Sequence, residues 1–228
     1  MNSHIRVGAY VSAQTDVERF VKAHLNGQNN GYPAYDSFSV ETRCGPLTDP
    51  DLLAPALLNS LQKPLRAYYS LQQIKPILNE RLERLDEISA GETLMTASDK
   101  TLEAVAALYG VLDDHAVPQV KLVTLSKVLH RKRPHLIPIT DSQIQACYRP
   151  LLGVKPHRTY KTFVLEWLAY AKDDLSTQVG AFEELAALAP AQPIGPLRAL
   201  DIAGWGIGGG HIPSVTSIDS QTTTSINN

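Results

Sequence analysis

The chain has 228 residues, 43% of them hydrophobic and 19% charged, with 21 Lys and Arg against 23 Asp and Glu; this excludes a disordered, collagenous or coiled-coil protein and fits a globular domain. Apolar runs such as the one ending near Ala169 are interrupted by Glu166 and Lys172, short of the ~20 residues that a membrane-spanning helix requires, and the opening MNSHIRVGAY has no apolar signal core. A cytoplasmic protein with no membrane partner is therefore expected. Cys44 and Cys147 are too few for a disulfide framework, a thiolate zinc site or an iron–sulfur cluster, and are expected to be ordinary buried thiols.

In chain order the signals are helical. Thr15-Asp-Val-Glu18 has the form of a capping box and predicts a helix over about 15–26, stopped at Asn26-Gly27. Residues 28–47, rich in Asn, Gly, Pro and Tyr, have no usable period and predict a long loop containing Tyr32, Tyr35, Asp36 and Phe38. Thr48 to Asp51 opens the next helix, and Pro64 and Pro76 are expected to divide the stretch after it into two further helices ending near Ile88, with Gly91 closing the block. Ser98 caps a periodic helix through Leu102, Val105 and Leu112, ended by Asp113-Asp114-His115. Further helices are expected over about 121–132, 141–151, 159–172, 177–188 and 196–205, with Gly153, the Pro-rich 190–196 and Gly206 between or after them. Strand alternation is nearly absent. The expected fold is all-α: one helical domain of roughly eight to nine helices over 1–207, with residues 208–228 as a disordered tail. Gly204-Trp-Gly-Ile-Gly-Gly-Gly-His211 follows a helix and lacks the Lys-Ser/Thr of a phosphate loop, so it reads as a helix end and hinge.

Charge is distributed unevenly. The 51 residues from His115 to Leu165 hold nine Lys or Arg, four His and a single acid, Asp141, and are formally +8; the rest of the chain carries 12 basic and 22 acidic residues, or −10. One basic face on a nearly neutral protein implies a polyanion partner, and Lys121, Lys127, His130, Arg131, Lys132 and Arg133 are the candidate phosphate contacts. Pro138 keeps the link before Asp141 extended, which sets Asp141 at or beside the start of the next helix, where free amides favour a negative charge; it is either a structural cap or a catalytic carboxylate. His130, His135 and His157 have no carboxylate neighbour in sequence other than Asp141, and no metal is expected. Asp201, in the last helix, is either a second pocket acid or a surface charge.

The stretch Val117-Pro118-Gln119-Val120, with Thr124 after it, and the block Ile137-Pro138-Ile139-Thr140-Asp141-Ser142-Gln143-Ile144 resemble, without gaps, the hairpin L-P-G-V-G-x-x-T-A and the catalytic block F-P-I-x-D-x-x-V of the helix-hairpin-helix superfamily of base-excision DNA glycosylases. The resemblance covers about 28 residues, Val117 to Ile144; the two hairpin glycines are Gln119 and Lys121 here. It implies an all-α glycosylase-like fold, double-stranded DNA as partner, no cofactor, and Asp141 as the catalytic acid that stabilises positive charge on the sugar as an N-glycosidic bond breaks. The position at which bifunctional members of that superfamily carry a Schiff-base lysine is Val123, so the implied enzyme is monofunctional. A flipped base needs aromatic faces, for which Tyr32, Tyr35, Tyr148 and Trp205 are the candidates. A modified base in foreign DNA, as in phage defence, is one option for the substrate. The other reading is a non-catalytic helical DNA-binding module in which Asp141 is only a cap.

Overall fold

A computed structural model describes residues 3–27, 30–38, 45–59 and 63–216. Two short strands, β1 (His4–Val7) and β2 (Tyr10–Ala13), open the chain. They pair antiparallel, Val7 opposite Tyr10, across a turn in which Gly8 has φ +59°, the left-handed region that glycine enters without a Cβ clash. Ile5 and Val7 point into the core. The hairpin is held to the helices by Asp174, whose Oδ2 accepts from the Gly8 N–H at 2.6 Å and whose Oδ1 lies 2.9 Å from Arg6 Nε. Burial lifts the Asp174 carboxyl to about 6 despite these partners.

Helix α1 (Gln14–Asn26) starts directly from β2. Thr15 and Glu18 form no capping box; the N-cap is Ala13, without a side-chain hydrogen bond, because the paired strand fixes where the helix begins. Val17, Val21 and Leu25 form the buried stripe. The next short elements are α2 (Ala34–Ser37), α3 (Asp49–Leu53) and a 3-10 helix (Ala54–Leu58). Helix α4 (Pro64–Ser89) contradicts the expected division at Pro76: it runs 26 residues without interruption. Pro76 sits on its exposed side, while Leu71, Ile74, Leu78, Leu82 and Leu85 bury a continuous stripe that offsets the lost backbone bond, a cost of about 3 kcal/mol.

Helices α5 (Asp99–Tyr109) and α6 (Val111–Asp114) come next, and Ser98 caps α5 through the Thr101 N–H at 3.3 Å. Then come α7 (Leu122–Lys132), α8 (Ser142–Leu152), α9 (Tyr160–Thr177), α10 (Val179–Ala186) and α11 (Pro196–Gly208). The protein is thus mostly helical, with α8 packed on α11, and α5 between α4 and α9. The core joins residues from Ile5 to Ile212 in one cluster. Among the described residues no helix is long and apolar enough to cross a membrane.

The packed structure also runs past the expected boundary at residue 207. Helix α11 passes Gly206 and continues to Gly208, Ile212 is buried, and Val215–Thr216 forms a third strand, β3, beside β2. The glycines of α11 mark close packing rather than a hinge: a Cβ at Gly208 would collide with the Gln143 carbonyl oxygen of α8, and one at Gly206 with the Phe20 ring. Residues 217–228, the rest of the expected tail, and Cys44 lie outside the described residues. Cys147 is buried; its Sγ donates to the Gly204 carbonyl at 3.3 Å, and burial pushes its thiol up to about 12.

Candidate functional site

The hairpin before α7 keeps the backbone shape that glycine would supply. Gln119 has φ +65° and the Val120 N–H donates to the Val117 carbonyl at 3.1 Å, so a left-handed turn forms here without glycine. After α7 the link Ile137 to Thr140 is held on two sides. On one side Ser126 Oγ of α7 accepts from the Thr140 N–H at 3.1 Å, and His130 Nδ1 lies 2.7 Å from the Ile137 carbonyl oxygen. On the other, Asp201 Oδ2 of α11 accepts from the Ile139 N–H at 3.1 Å. Pro138 has no N–H to satisfy. The link ends at Asp141, the N-cap of α8, whose Oδ1 accepts from the N–H groups of Gln143 (2.9 Å) and Ile144 (3.0 Å).

Asp141 lines a cavity of about 430 Å³. Lys127 and Val123 of α7 reach it, as do Arg198, Asp201 and Trp205 of α11 and His24 of α1. The ionisable groups that α7, α11 and α1 bring to it are electrostatically distinct. Burial drops the Lys127 ammonium to about 8, against the pull of Asp141 and with help from Arg198. Burial likewise raises the Asp201 carboxyl well above the usual carboxylate range, opposed by Arg198 and the Ile139 amide and reinforced by Asp141. His24 is lowered to about 4, chiefly by burial and then by Arg198, and is neutral at physiological pH. Arg198 itself donates from Nε to Asp36 at 3.0 Å. One wall is aromatic: Trp205 stacks on His211 with centroids 5.0 Å apart and lies 5.7 Å from the His24 ring.

The cavity gathers Asp141, Lys127 and Trp205 from the expected residues, takes in Asp201 as a buried pocket acid and not a surface charge, and adds His24 and Arg198. His24 had no signal in the sequence, since it ends an ordinary amphipathic helix. The other expected residues lie elsewhere. Tyr32 is buried and its hydroxyl accepts from the N–H groups of Ala191 and Gln192. Tyr35 is buried with its hydroxyl donating to the Lys127 carbonyl at 2.6 Å, and lines a separate cavity of about 260 Å³. Tyr148 is buried edge-on against Trp167. None of the three lines the Asp141 cavity; each carries a large apolar ring that the core takes up.

The expected basic cluster is likewise mostly internal. Asp51 is completely buried, with Lys132 Nζ at 2.8 Å and Arg131 Nε at 3.6 Å from its oxygens. Arg131 also donates to the carbonyls of Tyr35 and Phe38, and its guanidinium lies 5.1 Å from the Phe38 ring centroid. Arg133 is clamped by both oxygens of Asp86. His130 is buried at the link. His130, Arg131 and Lys132 are not a phosphate-facing surface, because Asp51 and backbone carbonyls draw them inward, and the half-buried Arg133 is tied to an exposed Asp86; Lys121 alone of the six is exposed.

The chain belongs to a family of unknown function (DUF6308), whose model matches residues 9–208 and so takes in every cavity-lining element described. No curated protein and no solved structure matches it.

Proposed function

We propose that the Asp141 cavity is a base-excision site and that the protein is a monofunctional DNA glycosylase acting on double-stranded DNA. The observation that carries this reading is the meeting of Asp141, Asp201 and the Trp205 ring on one cavity, which Val123 and Lys127 of the helix after the left-handed turn at Gln119 also line. Base loss leaves positive charge on the sugar, and the Asp141 carboxylate, held by two amides through one oxygen, has its second oxygen to stabilise that charge or orient water. Asp201, biased toward its neutral acid, is suited to donate a hydrogen bond to the departing base. Trp205 and the neutral His24 supply a ring face and a polar edge for an unstacked heterocycle.

Incubating the protein with duplexes carrying different damaged or modified bases, followed by alkaline cleavage of abasic sites, tests the reading; strand breaks at one class of base are expected. The alternative, a non-catalytic DNA-binding module, is favoured by the Asp141 cap, which the Gln143 and Ile144 amides complete, and predicts binding without breaks with every duplex.

A further inference from the structure

Val123 also lines a further cavity, of about 480 Å³, between the start of α7, α8 and the first turn of α9. Its apolar lining is Leu122, Val123 and the rings of Tyr160 and Phe163. Its polar lining carries positive charge. Lys121 is exposed at the N-cap of α7, a position with no side-chain cap for the helix amides. Arg158 is nine-tenths buried, its guanidinium 5.7 Å from the Phe163 ring centroid. Its Nη2 donates to the Leu152 carbonyl at 2.6 Å and lies 3.2 Å from Glu166, a carboxylate shared with Lys155, while the buried Nε–H has no hydrogen-bond partner among the described residues. The one acid of the lining, Asp113, is committed to the N-terminus of α9, its oxygens accepting from the N–H groups of Tyr160 (2.7 Å) and Lys161 (3.0 Å). Those amides hold the carboxylate in place without removing its charge, so the lining is net +1, with Arg158 also facing Glu166 and Lys121 the cation without an acid at ion-pair distance among the described residues.

An apolar, ring-lined floor beside two cations and uncapped helix amides matches an aromatic ring carrying a phosphate. We propose that this cavity is a nucleotide-binding pocket, in which Tyr160 and Phe163 meet the base and Lys121 and Arg158 the phosphate. The pocket is independent of base excision at Asp141. A free mononucleotide and a nucleotide within a strand share this chemistry.

Photo-crosslinking of the full-length protein separates the sources. One arm uses a short single-stranded DNA bearing a photoreactive thymine analogue, and the other thymidine 5′-monophosphate, followed by calorimetry. The oligonucleotide is expected to crosslink within residues 158–163, and Lys121→Glu and Tyr160→Leu are each expected to weaken binding about tenfold. Calorimetric binding of the monophosphate assigns the pocket to free nucleotides as well; crosslinking without it assigns the pocket to a strand. Asp141→Asn should leave the crosslink in place, so failure of the excision reading does not carry over. The proposal is overturned if neither ligand binds, if the crosslink falls only near Trp205, or if both variants bind as the parent does at an unchanged melting temperature.

Discussion

Asp51 and Lys127 show how much of the basic segment serves the interior. Removing the Asp51 carboxylate takes a buried counter-charge from Lys132 and Arg131, so Asp51→Ala should cost about 3–5 kcal/mol and lower the melting temperature by roughly 10 °C or more. Calorimetry on the purified variant checks this, and a loss under about 3 °C would contradict it. Arg131→Glu should unfold the protein, by burying two acids against each other, before it has any specific effect on DNA. Lys127 makes the opposite kind of statement. Its folded pKa of about 8 lies below the ordinary 10.5, so the unfolded chain binds more protons between these values and stability should rise with pH across that window, by up to about 3 kcal/mol from this group. Urea unfolding at pH 7 and pH 10 should show this gain as the difference between the parent and Lys127→Met, because the raised Cys147 thiol acts in the opposite sense over the upper part of that range. Because Lys127 is an amine in the cavity, borohydride trapping on an excised substrate also bears on it: the monofunctional reading expects no covalent adduct.

At the scale of elements, the cavity depends on how closely α8 and α11 approach. Gly208 has no room for a Cβ against the Gln143 carbonyl, two residues after Asp141, so Gly208→Val should push the start of α8 away from Asp201 and Trp205. A loss of at least about 2 kcal/mol is expected, with base release falling further than DNA affinity. Equal losses in both would contradict this role. The helices of this site were legible because their signals are local. The extended link ahead of Asp141 follows from Pro138, and the α5 and α7–α11 stripes follow from apolar spacing. The two N-terminal strands were not, since four residues each of mixed alternation form a sheet only through long-range pairing. The helix through Pro76 and the glycines inside α11 depend equally on partners distant in sequence. The pairing of the basic run was hidden for the same reason: Asp51, which draws Lys132 in, and Asp86, which ties Arg133 down at the surface, lie 81 and 47 residues before them.

For the whole molecule, turning that run inward changes what electrostatics can contribute. The exposed Lys and Arg left between His115 and Leu165 are Lys121, Arg149, Lys155 and Lys161. DNA binding should therefore depend only modestly on salt, with a log–log slope no steeper than about −4. Fluorescence anisotropy across a salt series measures it, and a slope near about −8 would mean that the buried cations take part. Asp141→Asn decides whether Asp141 does chemistry or only caps α8. The amide keeps an oxygen for the Gln143 and Ile144 N–H groups, so the loss of stability should be about 1 kcal/mol or less. It removes the negative charge, however, and an interaction aimed at a charged transition state is commonly worth ~100-fold or more in rate. Abasic-site formation and melting temperature measured on one preparation should show a folded protein whose base release has fallen at least about a hundredfold; undiminished base release in the Asn variant would contradict the assignment.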